Sequence, residues 1–142
     1  MRSPLKRSVA LVIEGPAGLL LVCRPDDDES LPGAWGLPAA SLRPGESERD
    51  AVLRAGREKL GVELELVEVV AEERAERAGY DIAMRDWAVR ISAGEPSVPQ
   101  AGEGTQYVES RWGRPADLAP AARAGSLCAR ALLRERGLGS SW

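Results

Sequence analysis

No histidine occurs among the 142 residues. That absence removes imidazole acid–base catalysis, His-ligated zinc and the Ser–His and Cys–His nucleophile systems together. Cysteine is nearly as scarce. Cys23 and Cys128 are far apart, show no metal-ligand spacing and read as core hydrophobes. Long apolar runs are also missing, and nothing approaches the roughly 20 residues of a membrane span. Residues 1–7 carry no apolar region or small-residue cleavage site, so no secretory signal, no membrane partner and a cytoplasmic location are expected. Lysine appears only as Lys6 and Lys59; every other basic residue is arginine. The net charge of -3 is spread with both signs mixed, and no basic stripe suits a nucleic-acid polymer. A small phosphorylated ligand needs only a few placed arginines. Any hydrolysis must therefore run on carboxylates, cations, water and metal.

What is present fits one globular domain over residues 1–142 with a core of its own; 44% of the residues are hydrophobic. Residues 8–14 and 19–24 are aliphatic runs around Gly15-Pro16-Ala17-Gly18, which predicts a hairpin. Residues 47–60 predict a helix. Ser47 is its N-cap, Asp50 completes a capping-box pattern and Gly61 stops it. Residues 62–72 and 81–91 predict strands, residues 94–104 a Pro/Gly loop and residues 106–112 a short strand. Residues 120–136 carry apolar side chains at helical spacing, ending at Gly137. The order of elements gives an α/β domain with helices covering a mixed sheet.

The densest signal lies in residues 38–62. Glu46, Arg54, Glu58, Gly61 and Val62 match a box that reads Gly, five residues, Glu, seven residues, Arg-Glu-aliphatic-x-Glu-Glu-x-Gly-aliphatic. Trp35 and Pro38 match the segment leading into it. In this the chain resembles the Nudix hydrolases, MutT-like enzymes, and the resemblance extends over residues 8–112 in the order of elements. It implies the Nudix fold, a mixed β-sheet sandwiched between α-helices. It also implies a pyrophosphohydrolase scaffold that acts on a nucleoside diphosphate linked to a moiety X. In that family three carboxylates on the box helix hold divalent metal against the diphosphate. They lie at i, i+3 and i+4, so they share one face. Here those positions are Ala55, Glu58 and Lys59. The local charge falls from about -3 to about 0. The resemblance casts Glu46 and Arg54 as the pair tying loop to helix, with Asp50 to Arg54 a favourable ion pair as well. Arg24 takes a phosphate-contacting position, and Gln106 stands where many members have a Glu.

Other departures concern the backbone. The Gly-Gly pair that opens the family box is Ala39-Ala40, and Ala disfavours a left-handed conformation by about 1–2 kcal/mol, so another loop path is expected. Gly56 replaces an aliphatic residue, so lost packing beside Val52 and Leu60 is expected.

Each candidate also has a plainer reading. Glu58 reads as the remaining catalytic and metal-binding carboxylate or as a solvated helix acid. Lys59 reads as a surface replacement or as a cation standing in for metal charge. Arg24 reads as a phosphate contact or a strand-end surface residue. The acidic residues 26–29 read as a solvated loop, and Trp35, Trp87 and Trp112 as core or pocket wall. The expected protein is a Nudix-fold domain that binds a nucleotide-like diphosphate through Arg24 and Lys59. It binds no cofactor strongly, with Mg²⁺ or Mn²⁺ required if it is active. The rival is an active hydrolase recruiting Glu48, Glu72, Glu73, Glu103 or Glu109 around Glu58. A third reading is an interaction domain with an empty cleft. A homodimer stays open.

Overall fold

Strands β1 (Leu5–Val12) and β3 (Gly18–Cys23) are apolar on both faces, and this decides the architecture. Side chains alternate across a strand, so each can serve two cores. Val9 and Leu11 of β1 join Leu20 and Val22 of β3 in one cluster; Ala10 and Val12 join Leu19 and Leu21 in the other. The computed structural model describes residues 4–98 and 107–139.

Two four-stranded sheets result. In the first, β1 lies between β5 (Ala39–Ser41) and β7 (Tyr80–Ala93), and β6 (Glu63–Arg77) is the outer neighbour of β7. The β1–β7 pair is parallel, while β1–β5 and β6–β7 are antiparallel, so the sheet is mixed. In the second, β3 pairs with β2 (Glu14–Gly15), β4 (Trp35–Gly36) and β8 (Glu109–Gly113), all antiparallel. Helix α1 (Glu48–Ala55) covers one core with Ala51, Val52 and Ala55. Helices α2 (Ala119–Arg123) and α3 (Leu127–Glu135) cover the other with Ala121, Leu127, Cys128 and Leu132. This is the expected α/β arrangement of sheets between helices. Among the described residues no helix is long and apolar enough to cross a membrane, which says nothing of β-barrels.

Four local expectations are corrected. The hairpin is narrower than the sequence suggests: only Glu14 and Gly15 pair with β3, while β1 crosses into the other sheet. Aliphatic strands with two buried faces do not announce their neighbours. The helix over residues 120–136 is broken, because Gly125 adopts φ 109° and Ser126 restarts the chain by accepting a hydrogen bond from the Ala129 N–H. The helix over residues 47–60 starts at Ser47 as expected, with the Asp50 N–H donating to Ser47 Oγ at 3.1 Å. After Ala55, however, it widens into a five-residue π turn, Gly56–Leu60, closed by Gly61 at φ 68°. Finally, Gly56 leaves no hole. A Cβ there would lie 2.6 Å from Leu64 Cδ1, so Leu64 of β6 already fills the space. The strand at β8 begins at Glu109, and Gln106 lies outside the described residues.

Candidate functional site

The box is anchored by Arg54. Its Nε and Nη2 donate to the two Glu46 oxygens at 2.9 and 2.8 Å, and Nη2 also reaches the Ser41 carbonyl at 2.8 Å. The bidentate pair fixes the loop after β5 against α1. Hydrogen bonding from Arg54 pulls the Glu46 carboxyl down to about 2, against its partial burial, and the Arg43 N–H at 3.0 Å adds to the effect. Arg54 does not pair with Asp50. The bidentate partner in the loop displaces the i, i+4 acid.

The three metal-cluster positions have diverged in environment as well as chemistry. Ala55 is fully buried in the core beneath α1. Glu58 lies between Arg43 at 3.5 Å and Arg54 at 3.4 Å. Lys59 is only 6% exposed, which overturns the surface reading. Its ammonium lies 5.9 Å from the centre of the Tyr107 ring. Desolvation lowers the Lys59 pKa; the Glu58 charge opposes this, and Arg54 and Arg24 reinforce it.

Ala39 and Ala40 take an extended path. They pair with Ala10 and Val9 of β1, and no residue other than glycine has positive φ among those described. The Tyr107 hydroxyl accepts from the Ala39 N–H at 3.0 Å and donates towards the Ala39 carbonyl at 3.5 Å. Burial pushes the Tyr107 hydroxyl up to about 12, so it stays protonated. Sequence reasoning missed Tyr107 as a site residue, since an aromatic in a strand segment carries no signal of its own.

These groups line a cleft of about 840 Å³, within the usual range of ligand pockets. Arg24, Arg43, Arg54, Glu58, Lys59 and Tyr107 form one end. Ile82, Met84, Leu127 and Cys128 provide an apolar stretch, and Lys6, Arg77, Tyr80 and Arg130 line the cleft as well. Glu58 is the only acid in this lining, against seven cations, in a chain whose net charge is -3. Arg24 reaches the cleft while bound to Asp28 at 3.2 Å. Asp28 also accepts from the Ser30 and Leu31 N–H groups, so one member of the acidic run shapes the loop instead of lying loose in solvent. None of Trp35, Trp87 and Trp112 lines the cleft: Trp35 lies under Arg111 at 4.2 Å and the Trp87 Nε1–H donates to Glu48 at 3.0 Å. Cys23 is half-buried and Cys128 buried.

The chain matches the NUDIX domain family over residues 4–133. It belongs to the Nudix family. A curated relative, the CTP pyrophosphohydrolase of Escherichia coli K12, is 36% identical over 81 residues, which is 57% of this chain and 59% of that protein. The solution structure of the E. coli ORF135 protein is 27% identical, with a TM-score of 0.70 over 99% of this chain and 96% of that one. A NUDIX hydrolase from Nitrosomonas europaea has a TM-score of 0.72 at 19% identity over 98% and 92% of the two chains, which shows the shared fold.

Nudix hydrolases generally use divalent metal, so the donor set of this Nudix domain can be tested for fit. Mg²⁺ needs several hard oxygen ligands. Glu58 offers one carboxylate, already held by two guanidiniums, and Glu46 is committed to Arg54. A unit of like charge about 4 Å from a cation costs about 4 kcal/mol at an effective dielectric of 20, so Lys59 opposes a dication. Among the described residues no group of three or more His, Cys, Asp or Glu side chains is placed to hold one ion. Nor do the substitute acids gather at Glu58. Glu48, Glu72 and Glu73 line a separate depression of about 560 Å³ with Arg7 and Arg85, and Glu109 pairs with Cys23 on β3. Glu103 lies outside the described residues. The residues present do not fit the metal cluster.

Proposed function

We propose that this Nudix domain binds a nucleotide or another diphosphate compound through fixed cations, with metal-dependent pyrophosphohydrolase activity weak or lost. The observation that carries this is the buried Lys59, in the place of a box carboxylate, with Arg24 and Arg54 close enough to perturb its charge. Lysine serves as a point charge for phosphate, and arginine as a planar fork. Glu46 and Arg54 preserve the loop that a diphosphate would lie against. Calorimetric titration with pyrophosphate and with nucleoside diphosphates, in the presence of EDTA, tests the reading. Binding is expected without metal, and Lys59→Met should weaken it by about tenfold or more, the equivalent of one lost charge-assisted contact. Unchanged affinity in Lys59→Met, or binding only after Mg²⁺ is added, would contradict it.

The rival, an active hydrolase, is favoured by the identity to a protein named for CTP pyrophosphohydrolysis. It requires carboxylates that join Glu58. A hydrolysis screen over nucleoside triphosphates, nucleotide sugars and dinucleoside polyphosphates with Mg²⁺ or Mn²⁺ separates the two, and robust turnover would establish the rival.

A further inference from the structure

The cations that line the cleft fall into two groups of different character. Arg24, Arg43 and Arg54 are each held by a carboxylate: Asp28, Glu58 and Glu46 respectively. Lys6, Arg77 and Arg130 are not, among the described residues. The Arg130 Nε–H donates to the Ala122 carbonyl at 2.8 Å, and Arg77 donates to the Glu76 and Gly125 carbonyls at 3.4 Å. Lys6 stands 5.8 Å from the centre of the Tyr80 ring. A guanidinium has five N–H donors, so these carbonyl contacts orient Arg77 and Arg130 without neutralising them or exhausting their donors.

The fold also separates this second group from the box. Tyr80, Ile82 and Met84 alternate along β7 and all line the cleft, and Lys6 is the register partner of Ile82. At about 3.3 Å per residue, Tyr80 and Met84 lie roughly 13 Å apart along the strand. Arg77 pairs with Tyr80 across the turn at Gly79, and so belongs to the distal end. Ile82, Met84, Leu127 and Cys128 supply the apolar surface of the cleft. The cleft is thus cationic at both ends with an apolar middle, which is the complement of a ligand that is anionic at both ends with a flat or apolar body between.

Resting on the reading above, we infer that the ligand carries a second phosphate, remote from the diphosphate, which Lys6, Arg77 and Arg130 bind. A phosphate matches the arginine fork and spreads over several donors, as three converging cations require.

The test compares pyrophosphate, the four nucleoside 5′-monophosphates and the four nucleoside 3′,5′-bisphosphates as calorimetric probes in EDTA. At least one bisphosphate should bind about tenfold or more tightly than its monophosphate. Arg77→Gln and, separately, Lys6→Gln should each shrink that gain while leaving pyrophosphate affinity within about twofold. Lys6 is exposed, so its variant keeps the test valid if Arg77→Gln disturbs the α2–α3 loop. If pyrophosphate binds and no bisphosphate gains, or the gain survives both substitutions, this inference falls and the box-end reading stands. If pyrophosphate does not bind at all, both fall.

Discussion

Asp86 is fully buried, and neither of its carboxyl oxygens has a hydrogen-bond partner. Its register partners on β1 and β6 are Ala10 and Ala71, which offer no polar atom beyond the backbone. Desolvation raises its pKa well above the usual carboxylate value of 3.8, so the neutral acid is the native form. The sign of the linkage follows. Asp86 favours folding fully below about 3.9, the unfolded value, and that contribution is lost as pH rises through the raised native pKa. Glu46 behaves in the opposite sense. Its native value of about 2 favours folding above its ordinary 4.5, a contribution lost as pH falls towards 2. Asp86→Asn should therefore melt higher than the parent near pH 8, with the difference closing towards pH 4. Thermal melts at stepped pH check this, and a difference independent of pH would contradict it.

The junction of α1 with the π turn shows how packing overrides propensity. Ala is a better helix former than Gly by about 1 kcal/mol, so Gly56→Ala would be stabilising on local grounds. Leu64 reverses the sign, because the new methyl would sit within 2.7 Å of both its Cγ and its Cδ1. Gly56→Ala should cost about 1–3 kcal/mol by urea denaturation. In a double-mutant cycle, Leu64→Ala should relieve part of that cost, leaving a non-additive term of at least about 0.5 kcal/mol. Additive effects would mean that β6 moves away freely. The rest of this element was legible in its letters. Ser47 and Gly61 mark its ends, and the Glu46–Arg54 spacing foretold the loop anchor. The π turn and the occupant of the Gly56 space were not, since both depend on a strand that arrives later in the chain. The broken second helix was hidden for a related reason. Its apolar spacing continues across Gly125, and only the backbone angle there reveals the interruption.

At the scale of the molecule, two cores share β1 and β3, and the cleft opens where the mixed sheet meets α3 and the box. The order of elements and the helix-covered sheet could be read from periodicity and the box spacing. The burial of Lys59, the seat of Tyr107 and the convergence of Lys6 with Arg77 could not, because each depends on pairing between distant segments. The charge of the cleft leads to an expectation for the whole protein. Mg²⁺ at millimolar levels should leave the thermal midpoint unchanged in differential scanning fluorimetry. Pyrophosphate at a hundred times its Kd should add about 2.7 kcal/mol of stability and raise the midpoint by several degrees. A saturable rise with Mg²⁺ alone would show that the box still recruits a dication.

The amine of Lys59 is joined to the chain by covalent bonds. It cannot be stripped by a chelator, starved by a poor medium or exchanged for a competing ion. A cleft charged in this way would retain its anion when free magnesium collapses, a circumstance in which relatives that borrow their charge from solution would let go.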